Sequence, residues 1–107
     1  MIRILKFNEM IKVQDKNAEF VLDDQNYLKL GSMLYFTKDS NLAFKAKSIF
    51  TQTFTFNEGD AYRVIEFEDK PVSVIIQKFQ IGDKGKVVKL SADDVIKLYN
   101  LKLFRVK

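Results

Sequence analysis

The chain of 107 residues contains no cysteine, no histidine and no tryptophan. Without cysteine it has no disulfide, no thiolate nucleophile and no zinc–cysteine site. Without histidine it lacks the side chain that most often transfers protons near neutral pH and most often ligates transition metals. These absences argue against catalysis, and we expect a non-enzymatic protein with no catalytic residues, no cofactor and no metal site.

Long apolar runs are also missing. The apolar run within residues 1–7 is too short for a secretory signal, and no stretch approaches the about 18 apolar residues that would span a bilayer. We therefore expect a cytoplasmic protein that makes no membrane contact. The hydrophobic content of 47% is sufficient for one buried core, so we predict a single β-rich domain over residues 1–107.

Apolar and polar residues alternate over much of the chain, which predicts an α+β protein that is mainly antiparallel β-sheet with a C-terminal helix. The opening residues fit a β-meander with strands at 2–7, 10–13 and 18–22. Residues 27–30 and 33–36 flank Gly31 and Ser32, and this arrangement predicts a second hairpin.

The segment 42–56 fits two periodicities. Read with period two, Leu42, Phe44, Phe54 and Phe56 share one apolar face. Read with period 3.6, Asp39 or Ser40 caps a further short helix. We favour a helical turn or short helix as far as residue 49, followed by a strand over residues 50–56.

The second half of the chain has the clearest pattern. Residues 62–67 predict a strand on which Arg63, Ile65 and Phe67 share one face. Residues 69–71 then reverse the chain, and residues 72–79 predict a central strand because β-branched side chains occur on both of its faces.

A glycine- and lysine-rich loop at residues 82–86 leads into a predicted strand at 87–90 and then into a helix. Ser91 is the expected N-cap, with Asp94 at the third helical position of a capping box. Val95, Leu98 and Tyr99 have the spacing of one buried stripe. Residues 101–106 either extend this helix or form a terminal strand.

This succession over residues 60–100 resembles the single-stranded DNA-binding domain of the positive-cofactor-four transcriptional coactivators. The matching segments are residues 62–76, the Gly-Asp-Lys-Gly-Lys loop at 82–86 and residues 90–98. The resemblance implies a curved antiparallel sheet, a homodimer formed through the C-terminal helix, and single-stranded DNA held by basic and aromatic side chains of the sheet. It also implies DNA contacts for Arg63, Lys70, Lys84 and Lys86.

The local charge independently favours a polyanionic partner. Residues 70–90 contain five lysines and one aspartate, a net charge of 5 − 1 = +4. Lysine and arginine bind phosphates with release of counterions, and exposed aromatic rings stack on unpaired bases. The predicted nucleic-acid-binding residues are Arg63, Lys70, Lys78, Lys84, Lys86, Lys89 and Tyr62.

Most of the ten phenylalanines are expected in the core, and we assign Phe50, Phe54, Phe56, Phe67 and Phe79 to it. Tyrosine tolerates partial exposure, so Tyr27, Tyr35 and Tyr62 are the better candidates for base stacking.

Two functional hypotheses follow. The first is a non-enzymatic single-stranded nucleic-acid-binding protein, an accessory of transcription or replication, with DNA as the expected partner and RNA as the alternative. The second is a small protein-interaction module or inhibitor of phage or mobile-element type, which docks on a host protein through a sheet edge or an aromatic patch.

Overall fold

The structure, a computed structural model, describes residues 18–45, 51–69, 71–82 and 85–107. Along these residues the elements are β1 (Phe20–Val21), β2 (Tyr27–Leu28), β3 (Met33–Phe36), β4 (Ser40–Lys45), β5 (Thr51–Phe56), β6 (Ala61–Asp69), β7 (Val72–Lys78), β8 (Val87–Ser91), α1 (Ala92–Asn100) and β9 (Phe104–Val106). The predicted α+β class, mainly antiparallel sheet with a C-terminal helix, is confirmed. The strands predicted at 2–7 and 10–13 lie outside the described residues.

A five-stranded antiparallel sheet with the order β8-β7-β6-β3-β9 forms the centre of the fold. Strand β7 is hydrogen-bonded on both sides, as predicted for residues 72–79. Two smaller antiparallel pairs, β1–β2 and β4–β5, accompany this sheet. The terminal segment forms the edge strand β9 and does not extend the helix, which settles the alternative left open for residues 101–106.

One face of the five-stranded sheet is buried. Its side chains form a continuous hydrophobic core with residues of α1 and of the two smaller strand pairs. The sheet contributes Leu34, Phe36, Tyr62, Val64, Phe67, Val74, Ile76, Val88, Leu90 and Phe104 to this core. We call this the inner face, and the opposite one the outer face.

The β4–β5 hairpin packs against the inner face through aromatic rings. Phe36 and Phe56 stack with their centroids 4.3 Å apart, and the ring of Tyr62 meets Phe56 edge-on at 5.2 Å. Phe54 adds a further edge contact to Phe56 at 4.8 Å. Such pairs each contribute about 0.5–1.5 kcal/mol beyond burial alone, so this cluster fixes the hairpin over the sheet.

Helix α1 begins as the sequence predicts. The Oγ atom of Ser91 accepts a hydrogen bond from the backbone N–H of Asp94 at 3.2 Å, which satisfies one of the free donors of the first turn. Val95 and Leu98 point into the core. In the described part of the chain, no helix is both long and apolar enough to cross a membrane.

The favoured helix at 42–49 is wrong for its described part. Residues 40–45 form β4, which pairs with β5 so that Leu42 lies opposite Phe54. Both side chains face the core, and this cross-strand packing outweighs the local helical periodicity. Residues 46–50 lie outside the described residues.

The hairpin predicted around Gly31 and Ser32 is also wrong in its pairing. Strands form on both sides of the turn, but β2 pairs with β1, whereas β3 pairs with β6 and β9. Gly31, which has a positive φ of 91°, instead donates its N–H to the carbonyl of Val64 at 2.8 Å. The turn therefore carries the chain from one sheet to another.

A β-bulge interrupts β6 between Val64 and Glu66. The bulge adds one residue to β6, so the side-chain alternation changes phase at this point. Arg63 and Ile65 are exposed, while Phe67 is buried on the inner face. The prediction that Arg63, Ile65 and Phe67 share one face is therefore wrong for Phe67, because that prediction assumed an uninterrupted strand.

Candidate functional site

The outer face of the five-stranded sheet carries both aromatic and cationic side chains. The strand register places Arg63, Gln77 and Val87 in one row across β6, β7 and β8. Directly opposite residues of neighbouring strands share a face, and the inner-face residues of these strands are buried. Arg63 and Val87 are exposed, so this row is accessible to a ligand.

Arg63 and Phe79 form the central contact of this face. The guanidinium carbon of Arg63 lies 5.8 Å from the centroid of the Phe79 ring, a cation–π arrangement. Phe79 is 56% exposed although it is a large apolar residue. An exposed aromatic ring beside a cation suits a ligand that combines a flat π-system with a nearby negative charge.

The next row of the outer face is built around a small residue. The N–H of Phe79 donates to the carbonyl of Ala61 at 2.8 Å, and Ala61 lies opposite Tyr35, which in turn lies opposite Arg105. Two aromatic residues therefore flank an alanine, at a separation of two strand spacings, roughly 9.6 Å. Half-buried Tyr35 and exposed Arg105 extend the site toward the β9 edge.

Charges of both signs occur on the outer face. Glu66 and Lys89 both lie opposite Ile75, which is on the same face of β7 as Gln77, the residue opposite Arg63. Glu68 follows two residues after Glu66, so it projects from this face as well. The Nζ atom of Lys89 lies 2.5 Å from Oε1 of Glu68. The predicted phosphate contact of Lys89 is thus matched by a carboxylate, whereas Arg63 and Arg105 form no ion pair with a described residue.

Two other predicted cations lie toward the inner side of the sheet. Lys78 is opposite Tyr62 in the register, and its Nζ atom lies 3.6 Å from Oδ1 of Asp60. The Nζ atom of Lys86 lies 5.6 Å from the ring centroid of Phe54 on the β4–β5 hairpin. The structure therefore does not bring Lys78 and Lys86 together with Arg63 on one surface.

Tyr62 is not a stacking residue. It is 1% exposed, because the β4–β5 hairpin covers it with Phe54 and Phe56. Removal from solvent, followed by the nearby negative charge of Asp60, raises the pKa of its hydroxyl to about 12. Tyr62 is a core residue, and the structure does not present its ring at the surface for the predicted nucleic-acid contact.

The glycine- and lysine-rich loop has a structural explanation in its described part. A Cβ at Gly85 would collide with the carbonyl oxygen of Lys78, so only glycine fits there. The side-chain amide of Gln77 donates to the Gly85 carbonyl at 3.1 Å, which further ties the loop to β7. The predicted contacts Lys70 and Lys84 lie outside the described residues.

Two residues of the outer face are not identified from the sequence. Phe79 is assigned to the core, and Arg105 is not among the predicted contacts. For Phe79 the sequence does contain a signal, because the alternation of β7 places it on the same face as the polar Gln77. For Arg105 the decisive fact is the pairing of β9 with β3, which brings it opposite Tyr35.

Among residues 18–45, 51–69, 71–82 and 85–107, no cluster of three or more potential metal ligands is present. Asp23, a candidate ligand by residue type, accepts hydrogen bonds from the hydroxyl of Tyr99 and from the backbone of Gln25 and Asn26. Comparison of the whole chain with protein-family models, with curated proteins and with solved structures finds no match.

Proposed function

We propose that the protein binds single-stranded nucleic acid, DNA in the first instance, on the outer face of its five-stranded sheet and catalyses no reaction. The observation that carries this proposal is the contact between Arg63 and the exposed ring of Phe79. A base stacks on the ring while the guanidinium contacts the adjacent phosphate.

The bound nucleic-acid strand runs across the sheet, along the row formed by Phe79, Ala61, Tyr35 and Arg105. Bases contact the two aromatic residues, and phosphates contact Arg63 and Arg105 at the two sides. Single strands are favoured over duplexes because the faces of unpaired bases are available for stacking. The binding is sequence-tolerant, since neither stacking nor phosphate contact distinguishes one base from another.

The expected electrostatic contribution is small. Two phosphate contacts on a single strand give a slope of log K against log salt of roughly −1.4. Glu66 adds negative charge to the same face, and Glu68 neutralises Lys89, so we count no further phosphate contact and expect no steeper slope. Stacking therefore supplies most of the affinity, at about 1–3 kcal/mol per stacked base.

Fluorescence anisotropy with a labelled oligothymidylate of about 16 nucleotides tests the proposal, with a duplex and an RNA of the same length for comparison. We expect binding at low salt that is at least about tenfold tighter for the single strand than for the duplex. Absence of binding to any of these probes at low salt would refute the proposal. Equal affinity for DNA and RNA would identify the partner as single-stranded nucleic acid in general.

A small protein-interaction module gives a different result in a pull-down. Recovery that is abolished by nuclease favours nucleic acid, whereas recovery of one stoichiometric protein in the presence of nuclease favours a protein partner. Replacement of Phe79 by alanine reduces the nuclease-sensitive recovery if the outer face is the binding site.

A further inference from the structure

Strand β9 is an edge of the five-stranded sheet, and part of its backbone is free. The N–H of Thr37 donates to the carbonyl of Leu103 at 2.8 Å, and the N–H of Lys107 donates to the carbonyl of Met33 at 3.1 Å. The alternation of an antiparallel ladder then directs the peptide groups of Arg105 toward β3 and those of Phe104 and Val106 away from it. No described residue bonds to these outward groups.

A cleft runs beside this edge. Its volume is about 480 Å³, which is within the usual range of about 300–1,000 Å³ for binding pockets. Its walls come from β9, from the turn at Asp23 and Asn26, and from the end of α1 with Tyr99 and Lys102. The cleft and the free backbone of β9 together have the features of a site for an extended chain.

The charges around the cleft are predominantly positive. Lys102 and Arg105 line the cleft, and Lys107 follows directly after β9. None of the three forms an ion pair with a described residue. Asp23 is the one acidic side chain among the residues that line the cleft. Its carboxylate already accepts hydrogen bonds from the hydroxyl of Tyr99 and the side-chain amide of Asn26. The cations are therefore available to an incoming acidic group.

We infer that β9 and the adjoining cleft bind an extended acidic peptide segment of a partner protein, which adds a strand to the sheet. The outward N–H and C=O groups of Phe104 and Val106 supply the main-chain hydrogen bonds. Lys102, Arg105 and Lys107 select acidic side chains. Arg105 is shared with the proposed nucleic-acid surface, whereas the outward peptide groups of Phe104 and Val106 are not. A variant at Val106 therefore tests this inference separately from nucleic-acid binding.

The sharpest variant is Val106→Pro. It deletes one outward N–H without removing a hydrogen bond to β3, because the N–H of Val106 faces away from that strand, and proline is tolerated at such edge positions. The matched control Val106→Thr keeps the N–H and nearly the same shape. Circular dichroism and thermal unfolding verify that both variants retain the fold.

The probe is a fluorescein-labelled peptide of alternating valine and glutamate, compared with its valine–lysine counterpart in fluorescence polarisation with the full chain. We expect the glutamate peptide to bind at least about tenfold tighter than the lysine peptide. Val106→Pro weakens this binding by about tenfold or more, while Val106→Thr stays within about twofold. Lys102→Glu also weakens it, and Phe79→Ala leaves it unchanged.

Three results would overturn the inference. The first is that neither peptide binds at millimolar concentration. The second is that the two peptides bind equally, and the third is that folded Val106→Pro binds as well as the wild type. Analytical ultracentrifugation tests whether a second copy of this chain pairs with β9. A wild-type dimer that dissociates in Val106→Pro would identify that copy, and not a partner peptide, as the added strand.

Discussion

The ammonium group of Lys89 lies 2.5 Å from a carboxylate oxygen of Glu68, and this ion pair spans strand β7. Glu68 is paired with Ser73 and Lys89 with Ile75, so the two long side chains meet above the strand that separates them. Ser73, the residue opposite Glu68, is buried although it belongs to the outer face. The pair therefore sets the charge of the proposed nucleic-acid surface at its β8 edge.

Glu68→Gln removes the carboxylate charge and releases Lys89 for phosphate contact. We expect affinity for single-stranded DNA to increase and the salt slope to become steeper by roughly 0.7, the value of one added contact. The stability should change by at most about 1 kcal/mol, because both side chains are more than one third exposed. Glu58→Gln in the β5–β6 turn makes the same change of net charge and serves as control. An equal increase in both variants would mean that only net charge matters.

Phe79→Ala should weaken binding of single-stranded DNA by about 1–3 kcal/mol through loss of one stacking ring. The free energy of unfolding should hardly change, because the ring is already 56% exposed. Ile81→Ala is the matched control, since Ile81 is 97% exposed and lies two residues further along. Anisotropy titrations and urea unfolding measure the two effects. Equal losses of affinity for both variants would show that Phe79 has no specific role.

Leu98→Ala should destabilise the protein by about 2–5 kcal/mol, because Leu98 is 1% exposed and its loss leaves a cavity between α1 and the sheet. Leu101→Ala, at an exposed position just after the helix, should stay within about 0.5 kcal/mol. Urea denaturation of the two variants gives this comparison directly. A small loss for Leu98→Ala would contradict the described packing of α1.

Asp23 makes stability depend on acid pH. The hydroxyl of Tyr99, then the backbone N–H of Gln25, lower the pKa of its carboxyl from 3.8 to about 2. A depressed carboxyl pKa stabilises the folded state above about pH 4, and this contribution is lost as the pH falls toward 2. Wild-type melting temperature should thus fall more steeply over this window than that of Asp23→Asn. Asp24→Asn, whose side chain bonds to no described residue, should follow the wild type.

The elements that local chemistry determines were predictable. Ser91 caps α1 because its hydroxyl and Asp94 stand at the required spacing, and the turn between β6 and β7 follows from the proline and its neighbours. Both features depend on residues close together in the chain. The same holds for the strand segments on either side of Gly31, whose positions were right although their pairing was not.

The remainder depends on contacts between distant residues. Nothing near Tyr62 in sequence indicates that a hairpin formed by residues 40–45 and 51–56 covers it, and the bulge at Ile65 has no strong local signal. The predicted nucleic-acid-binding cations lie on different faces of the sheet because strand pairing, and not local sequence, decides the face of each side chain. Strand register sends Arg63 to the outer face and Lys78 to the inner one, whereas a count of charge along the chain treats the two alike.

The salt dependence of single-stranded DNA binding by Arg63→Gln tests the central claim most directly, with Lys78→Gln as a control of equal charge change on the other side of the sheet. We expect the slope of log K against log salt, roughly −1.4 for the wild type, to flatten to about −0.7 in Arg63→Gln and to stay unchanged in Lys78→Gln. Identical slopes for the two variants, or loss of binding only in Lys78→Gln, would contradict the central claim.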